Sequence, residues 1–380
     1  MTSRPNLPFA VRSLITVAEY QTKASRSARI MRIAFPMFNL GRAGGEQIII
    51  RLANAAIRRG HEVSFLLPRQ KESIVSDTLA QVVQIRLFPV PRIGYFVPTF
   101  MSVASFPFAK RLRGFDAVVA SYGPTSLPTK LVSGKNVKRY YLIQHDETSF
   151  FSPFSLEYWV TRLSYGAFQK EHVFAVSEWL QDMVRRRRGP KPILLPPGID
   201  HGTYYPRDRI PHEGKHVLVL VRDPKWKGLQ VFFDAMESVK RDVKDVKIIA
   251  AGGSGRRFKT SCPIEYVRPS DDELARLYSS CDVYVLPSFL EGLGLPPLEA
   301  MACGGAVVLT DCLGSRDYAI DGLNCLVVPQ GNPESLSRAI LRVISDDVLS
   351  NRLRANGPGA AAPWTYERME TIFLRALESE

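Results

Sequence analysis

Residues 32–67 read RIAFPMFNLGRAGGEQIIIRLANAAIRRGHEVSFLL, a pattern typical of a strand, a helix and a second strand. Apolar residues are continuous over 33–37 and, apart from Ser64, over 63–67. Between them, apolar residues recur at helical spacing over 48–56, and Gly60 is placed to end the helix. Because a strand–helix–strand unit makes its strands parallel, the stretch predicts a parallel sheet covered by helices.

The same alternation of strands and helices continues along the rest of the chain. In the first half it predicts strands at 117–120, 140–143 and 173–176 and helices at 125–132, 157–168 and 178–187. In the second half it predicts strands at 216–221, 246–250, 283–286 and 306–309 and helices at 229–239, 271–279, 297–302 and 364–377. The sequence therefore predicts an α/β protein with two doubly wound, Rossmann-like domains.

The domain boundaries follow from where the alternation stops. Residues 202–214 are rich in turn formers and charge, which is typical of a linker. Residues 1–30 are basic and lack periodicity, so either they form a loose extension or translation starts at Met31. The predicted organisation is an N-terminal extension (1–30), a first domain (31–205), a linker (206–214), a second domain (215–363) and a final helix (364–380) that returns to the first domain.

Composition bounds the class of protein. The chain has 380 residues, 45% apolar and 23% charged, which fits a globular protein and excludes collagen-like and disordered classes. The formal charge is +13, and residues 1–214 hold 30 Lys and Arg against 15 Asp and Glu. A basic half beside a neutral half indicates that one domain meets a polyanion, although a generally basic proteome would give the same balance.

The five cysteines contain no C-x-x-C pair, so neither structural zinc nor disulfides are expected. Together with the lack of a recognisable secretory signal, this predicts a reduced, cytoplasmic protein. No apolar stretch is long enough to cross a bilayer; the nearest, residues 95–109, contains two prolines.

Residues 287–302 read PSFLEGLGLPPLEAMA and hold the strongest chemical signal. Glu291 and Glu299 lie eight positions apart around a glycine-bearing turn that leads into a helix. Such a turn lets backbone amides approach a phosphorylated ligand, and a carboxylate can accept both hydrogens of a ribose diol. The alternative is that Glu299 complements the helix dipole and Glu291 is a solvated loop charge.

At this phrase the sequence resembles the retaining glycosyltransferases of family four, also called group 1 glycosyl transferases. The resemblance runs from about Met31 to the C-terminus, and its hallmark is the E-x7-E pattern of Glu291 and Glu299. It implies the GT-B architecture, with two Rossmann-like domains facing across a cleft, the first on the acceptor side and the second binding the nucleotide sugar. Further matching positions are Gly44, Gly45, His145, Gly198, Ile199, Asp200, Arg222, Lys227, Gly228, Asp321, Gly322 and Asn324, whereas Pro197, before Gly198, stands where the family usually has an asparagine.

The resemblance implies roles for the residues of the second domain. Glu299 would bind the nucleotide ribose and Glu291 the donor sugar, and Arg222 and Lys227 would neutralise the diphosphate as the nucleotide leaves. Taken alone, an Arg and a Lys in such a loop are more often solvated surface charges. The backbone amides that would meet sugar and phosphate are those of Gly292, Leu293, Gly294 and Leu295.

In the first domain, Gly44 and Gly45 resemble the loop that approaches the donor phosphates or the acceptor. His145 resembles the histidine that contacts the donor sugar, although a lone His at a strand end is usually a satisfied polar residue. Its neighbours Asp146 and Glu147 compete for any polar role at this place.

No D-x-D triplet occurs, so no metal and no cofactor is expected beyond the donor itself. The family implies retention of configuration, and the sequence offers no obvious enzymic nucleophile. We therefore expect same-face substitution in which the leaving phosphate helps to deprotonate the acceptor.

Two features bear on the acceptor. An aromatic run at Tyr95, Phe96, Phe100, Phe106 and Phe108 is followed by basic residues at 110–113, and residues 185–188 are four arginines. The first would suit a lipid surface or a lipid-acceptor groove, or equally a buried helix pair; the second would suit a solvated helix end. Peripheral contact with anionic membrane at the inner face of the cell membrane is the resulting expectation.

The sequence therefore predicts a glycosyltransferase that moves a hexose or deoxyhexose, rhamnose included, from a nucleotide-diphosphate sugar to a glycan or lipid-linked acceptor in cell-surface polysaccharide biosynthesis. A nicotinamide-dependent oxidoreductase is disfavoured because the turn GRAGG lacks G-x-G-x-x-G. A nucleic-acid-binding protein would leave Glu291, Glu299 and Arg222 without a role, so no nucleic acid is expected. A non-catalytic sugar-nucleotide sensor is the remaining alternative.

Overall fold

A computed structural model describes residues 29–41, 44–68, 78–85, 106–131, 137–166, 172–187, 189–222, 224–252 and 258–379. The chain divides into two compact units. The first unit comprises Arg26–Pro197 with Glu367–Glu380, and the second comprises Gly198–Tyr366. Each has a parallel sheet of its own.

As far as Pro197, the described part of the first unit contains seven strands and five α-helices. The strands are β1 (Arg32–Pro36), β2 (Glu62–Pro68), β3 (Gln81–Ile85), β4 (Ala117–Ala120), β5 (Lys138–Ile143), β6 (His172–Ala175) and β7 (Ile193–Leu194). The helices are α1 (Gly44–Arg58), α2 (Phe106–Leu112), α3 (Gly123–Lys130), α4 (Leu156–Gly166) and α5 (Glu178–Arg186).

The strand order of the first sheet is β3-β2-β1-β4-β5-β6-β7, with every pair parallel. Ile33 of β1 pairs with Val63 of β2 on one side and Ala117 of β4 on the other. Chain order reverses between β1 and β4, the place where open α/β sheets bind ligands. The carboxyl ends of these central strands therefore position the candidate residues of this unit.

The described part of the second unit contains six strands. They are β8 (Lys215–Leu220), β9 (Val246–Ala251), β10 (Ile264–Val267), β11 (Val283–Leu286), β12 (Val307–Thr310) and β13 (Leu326–Val328). Their order is β10-β9-β8-β11-β12-β13, again all parallel. The helices that follow are α6 (Leu229–Asp242), α7 (Asp271–Ser280), α8 (Leu295–Ala302), α9 (Pro333–Ser345), α10 (Asp347–Ala361) and α11 (Tyr366–Glu378).

Helix α11 packs on the first unit. The ring of Phe373 lies 5.7 Å from that of Phe174 and 6.3 Å from that of Phe35, centroid to centroid. The Tyr140 hydroxyl donates to the carbonyl of Ala376 at 3.0 Å. The last turns of the chain thus complete the core of the first unit.

Residues 206–214, which were predicted to form a linker, belong to the second unit. Arg207 pairs with Asp272 at 2.7 Å, and the amide of Ile210 donates to the Ser280 hydroxyl at 3.1 Å. The division between units falls earlier, between Pro197 and Gly198.

The expected fold class is confirmed: both units are doubly wound parallel α/β structures. The nine strands predicted from the sequence are the inner strands of the two sheets. The four strands β3, β7, β10 and β13 were not predicted, and each lies at the edge of a sheet. Helices α2, α9 and α10 were not predicted either.

Candidate active site

Two loops meet where β8 and β11 end, and a glycine makes their contact possible. Gly228 adopts a left-handed conformation with φ of +66°, and a Cβ atom there would lie 1.9 Å from the carbonyl oxygen of Pro287. The amide of Phe289 donates to the carbonyl of Trp226 at 2.7 Å. Since only glycine tolerates this approach, the sequence at 228 fixes one loop against the other.

This contact places Lys227 beside Glu291. The Lys227 Nζ lies 2.7 and 2.9 Å from the two carboxylate oxygens, and the Ser288 hydroxyl donates to Oε1 of Glu291 at 2.7 Å. The two charged side chains are 17% and 10% exposed. Neither is a solvated surface charge, and the three hydrogen bonds from Lys227 and Ser288 hold the Glu291 carboxylate in one orientation.

Arg222 follows β8 and is exposed. It lines a small pocket together with Lys227, Glu291, Tyr284 and Pro296. The Tyr284 side chain is buried, and its hydroxyl has no hydrogen-bond partner among the described residues. A buried hydroxyl of this kind ordinarily has a partner, so this pocket offers a ligand one phenol in addition to the two cations.

Glu299 lies on α8 and is partly buried. Burial raises the pKa of its carboxyl to about 7, against the opposing charge of Arg222. The charge of Asp271 adds to the rise. Near neutral pH the carboxyl is therefore part protonated, and a ligand that donates hydrogen bonds to it would favour the ionised form.

The turn before α8 offers backbone amides from its loop, but the first turn of the helix itself offers few. Gly294 has φ of +88°, and its carbonyl accepts a hydrogen bond from the Tyr318 hydroxyl at 2.7 Å. The helix begins at Leu295, and the next two residues are prolines, which have no N–H. A phosphate at this turn would thus depend on loop amides, including those of Gly292 and Leu293, and on the nearby cations.

In the first unit, the structure brings Gly45 to the end of β5. The Gln144 side-chain amide donates to the carbonyl of Gly45 at 3.1 Å, and His145 is the next residue, its ring centroid 4.8 Å from that of Phe150. A Cβ atom at Gly44 would meet no atom within 4 Å. The protein's own packing therefore does not require a glycine at 44.

The two acids after His145 have separate partners. Arg187 donates to both carboxylate oxygens of Asp146, at 2.8 and 2.7 Å. Burial opposes ionisation, but the hydrogen bonds from Arg187 and Thr148 hold the pKa of Asp146 below its usual value. Burial raises the pKa of Glu147 to about 8, although its carboxylate accepts the Gly123 amide at 3.0 Å. Asp146 is engaged structurally, and Glu147 is protonated at neutral pH.

The features predicted to meet a membrane are only partly described. Arg185 and Arg186 are exposed, as expected for a solvated helix end, whereas Arg187 is paired with Asp146. Residue 188 lies outside the described residues. Tyr95, Phe96 and Phe100 also lie outside them, and Phe106 and Phe108 belong to α2. Within the described chain, no helix has the length and apolarity needed to span a membrane.

Sequence reasoning missed two residues of the pocket. Ser288 is the second residue after β11, so its place at a strand end was a usable signal. Tyr284 gave none, because an aromatic residue in a buried strand is indistinguishable from core. Among the described residues, no three His, Cys, Asp or Glu side chains gather in a way that could hold a metal ion.

Similar proteins cover the same two units. The model described as Glycosyltransferase Family 4 matches residues 42–203, and the model described as Glycosyl transferases group 1 matches residues 204–359. A phosphatidyl-myo-inositol mannosyltransferase of Mycobacterium tuberculosis is 25% identical over 358 residues, covering 88% of this chain and 93% of the relative. An N,N'-diacetylbacillosaminyl-diphospho-undecaprenol alpha-1,3-N-acetylgalactosaminyltransferase of Campylobacter jejuni is 27% identical over 169 residues, 42% of this chain and 44% of its own.

Solved structures agree on the fold. Sucrose-phosphate synthase from Thermosynechococcus elongatus superposes with a TM-score of 0.75 at 19% identity, over 90% of this chain and 96% of that one. Anabaena Alr3699/HepE in complex with UDP-glucose gives 0.74 at 17% identity, over 92% and 100%. Of the alternatives left open by the sequence, the comparisons bear out the glycosyltransferase. Matched by the two models over residues 42–359, the chain belongs to the family 4, group 1 glycosyltransferases and has their GT-B fold.

Proposed function

We propose that this glycosyltransferase retains configuration and transfers a hexose or deoxyhexose, with rhamnose among the candidates, from a nucleotide-diphosphate sugar to a glycan or glycolipid acceptor in cell-surface polysaccharide assembly. The observation that carries the proposal is the buried Lys227–Glu291 pair, which shares one pocket with Arg222. Two cations and an oriented carboxylate are what a sugar diphosphate requires.

Each donor group has a matching residue in the second unit. Arg222 and Lys227 bind the diphosphate, Glu291 accepts hydrogen bonds from sugar hydroxyls, and Glu299 accepts those of the ribose. Burial is the main cause of the raised pKa of the Glu299 carboxyl, about 7, and hydrogen bonds donated by the ribose favour its ionised form. Anabaena Alr3699/HepE was solved with UDP-glucose, with UDP, and with UDP and glucose, which supports a nucleotide-sugar donor.

The proposed chemical step is a same-face substitution. The bond between the anomeric carbon and the diphosphate oxygen breaks, and its electron pair stays on the leaving oxygen. The acceptor oxygen bonds to the anomeric carbon from the same face, and its proton passes to the leaving phosphate. Lys227 and Arg222 stabilise the negative charge that develops. In this proposal Glu291 accepts hydrogen bonds from Lys227, Ser288 and the sugar hydroxyls and does not act as a nucleophile.

The acceptor side is proposed from the relatives and the charge. The names of the two relatives include a phosphatidyl-myo-inositol and a diphospho-undecaprenol, which supports a lipid-linked acceptor. In the first unit, the proposed ligand contacts are Gly44, Gly45 and His145. The reaction needs no metal in this proposal, because side-chain cations take the place of one, and it takes place at the cytoplasmic face of a membrane.

Slow donor hydrolysis without acceptor tests the proposal. A panel of UDP-, GDP- and dTDP-sugars is incubated with the full chain in EDTA, and the anomeric configuration of the released sugar is read by NMR before it mutarotates. We expect one donor to be hydrolysed with its configuration retained. Arg222→Ala should lose the activity, and Arg338→Ala, which changes an exposed arginine on α9, should keep it. Inverted product, or activity that needs added metal, would contradict the proposal.

A further inference from the structure

Helix α4 turns apolar side chains toward solvent. Leu156, Trp159 and Leu163 follow one another at spacings of three and four, which places them on one helical face. They are 61%, 52% and 68% exposed, and Phe154 in the preceding turn is 97% exposed. We call these four side chains the α4 face.

The opposite side of the helix is buried and carries hydroxyl groups. Thr161, Ser164 and Tyr165 are each at most 1% exposed. The Tyr165 hydroxyl accepts the amide of Glu147 at 2.9 Å, and the Ser164 hydroxyl donates to the carbonyl of Thr161 at 2.6 Å. A surface helix normally buries its apolar stripe, so the polarity of α4 is inverted. The fold does not use the apolar side chains of the α4 face.

Charge indicates what covers this face. The first unit holds 27 Lys and Arg against 15 Asp and Glu, a net charge of +12, whereas the second holds 20 against 21. On α4 itself, the Arg162 guanidinium lies 5.9 Å from the ring centroid of Trp159. Leucine and aromatic side chains beside a cation are typical of segments that lie in a bilayer interface.

We propose that the α4 face docks on an anionic lipid bilayer. Phe154, Leu156, Trp159 and Leu163 enter the interface, Arg162 meets the lipid phosphates, and the net positive charge of the unit draws it to the surface. This deepens the proposed function, on which it rests only for the expectation of a lipid-linked acceptor. A second copy of the chain is the poorer occupant, because a stable dimer buries roughly 1,200–2,000 Å² and two such basic units repel each other.

Vesicle binding tests the proposal with the full chain. Phosphatidylcholine vesicles with and without 30% phosphatidylglycerol are titrated and sedimented, and tryptophan emission is recorded. We expect binding to the anionic vesicles that weakens as salt rises, with a blue shift that Trp159→Phe removes. The triple variant Phe154→Ser, Trp159→Ser, Leu163→Ser should bind at least tenfold more weakly. Val348→Ser, which changes a residue 78% exposed in the second unit, is the matched control and should bind like wild type.

Three results would overturn the proposal. The first is that the triple variant binds vesicles as well as wild type does, and the second is that binding does not depend on lipid charge. The third is that wild type sediments as a dimer and the triple variant as a monomer. Circular dichroism verifies that the triple variant is folded. Donor hydrolysis without vesicles is measured on the same preparations and should be unchanged in the triple variant. A chain that binds vesicles but hydrolyses no donor would contradict the proposed function alone.

Discussion

The two units carry their charge in opposite ways. In the second unit acids and bases nearly balance, and the buried Lys227–Glu291 pair stands at the end of the central strands. In the first unit almost the whole net charge of the chain is concentrated, and the apolar α4 face is exposed. The one buried ion pair described near its candidate residues, Asp146 with Arg187, is structural.

This difference separates two kinds of recognition. A nucleotide diphosphate is small and is held by a few oriented groups, so its site is built from short loops locked to one another, as Gly228 and Pro287 are. A lipid surface has no fixed shape, and an unlocalised positive charge with an apolar face suffices for it. Variants compared in matched pairs test whether the two units divide recognition in this way.

Removing the locked cation should have the largest effect. Lys227→Ala should lower kcat by about 10²–10³-fold, because the charge on the leaving diphosphate loses a fixed donor in the transition state. Lys225→Ala, two residues earlier and exposed, should stay within about twofold. Steady-state hydrolysis of the preferred donor provides the measurement. Equal losses in the two variants would show that only the overall charge of the loop matters.

Adding one methyl group should separate the roles of two glycines. Gly228→Ala should destabilise the second unit by about 3 kcal/mol, since it combines a left-handed φ with overlap on Pro287. Gly44→Ala should leave stability unchanged or slightly raised, as a Cβ there meets nothing. Urea denaturation measures both. If Gly44→Ala nevertheless lost activity, the predicted approach of a ligand to residue 44 would be supported; a destabilised Gly44→Ala would contradict the account.

The arginine run of the first unit allows a similar test. Arg187→Ala leaves Asp146 buried without its partner and should cost about 2–3 kcal/mol, at the low end for a buried pair, whereas exposed Arg186→Ala should stay within about 0.5 kcal/mol. The pKa of Asp146 is lowered in the fold, so the pair stabilises above the unfolded aspartate pKa of about 3.9. The difference in the free energy of unfolding between the two variants should therefore persist at neutral pH. It should disappear as the pH falls below about 3.9 and through the lower pKa that Asp146 has in the fold. A gap that is constant down to pH 2 would rule out the ion pair as its origin.

The smallest expected effect is on the pH dependence of ribose binding. The raised pKa of Glu299, about 7, means that acid removes the ionised form that the ribose needs. Affinity for the nucleoside of the preferred donor should fall about tenfold from pH 8 to pH 6 and level off above pH 8. A nucleoside is used because it lacks titrating phosphates. Glu299→Gln should bind weakly with no such pH dependence, and a wild-type affinity that is flat over this range would refute the ribose contact.

The inner strands could be predicted from the sequence because they are buried on both faces and read as continuous apolar runs, as AVVA and VYVL do. The edge strands could not. In β3 (QVVQI) and β10 (IEYV) polar residues interrupt the apolar ones, and β7 and β13 are only two and three residues long. Pairing with the rest of the sheet, which is a tertiary contact, makes them strands.

The candidate site shows the same limit. The charged residues Arg222, Lys227, Glu291 and Glu299 could be selected from their loops and from the family pattern. That Lys227 and Glu291 pair with each other could not be predicted, because they are 64 positions apart and are brought together by the pairing of β8 with β11 and by the loop contact at Gly228. Nothing in the sequence joins Asp146, a candidate for a polar role beside His145, to Arg187, 41 positions away in the predicted solvated helix end; the fold pairs them.

The most direct measurement is calorimetric titration of UDP, GDP, dTDP and their sugars into wild type and Glu299→Ala, with Glu334→Ala as an exposed glutamate control from the same unit. The account predicts that one base is bound, that Glu299→Ala weakens it at least tenfold, and that Glu334→Ala does not. Equal binding by wild type and Glu299→Ala, or no binding of any nucleotide, would contradict the assignment of the donor site to the second unit.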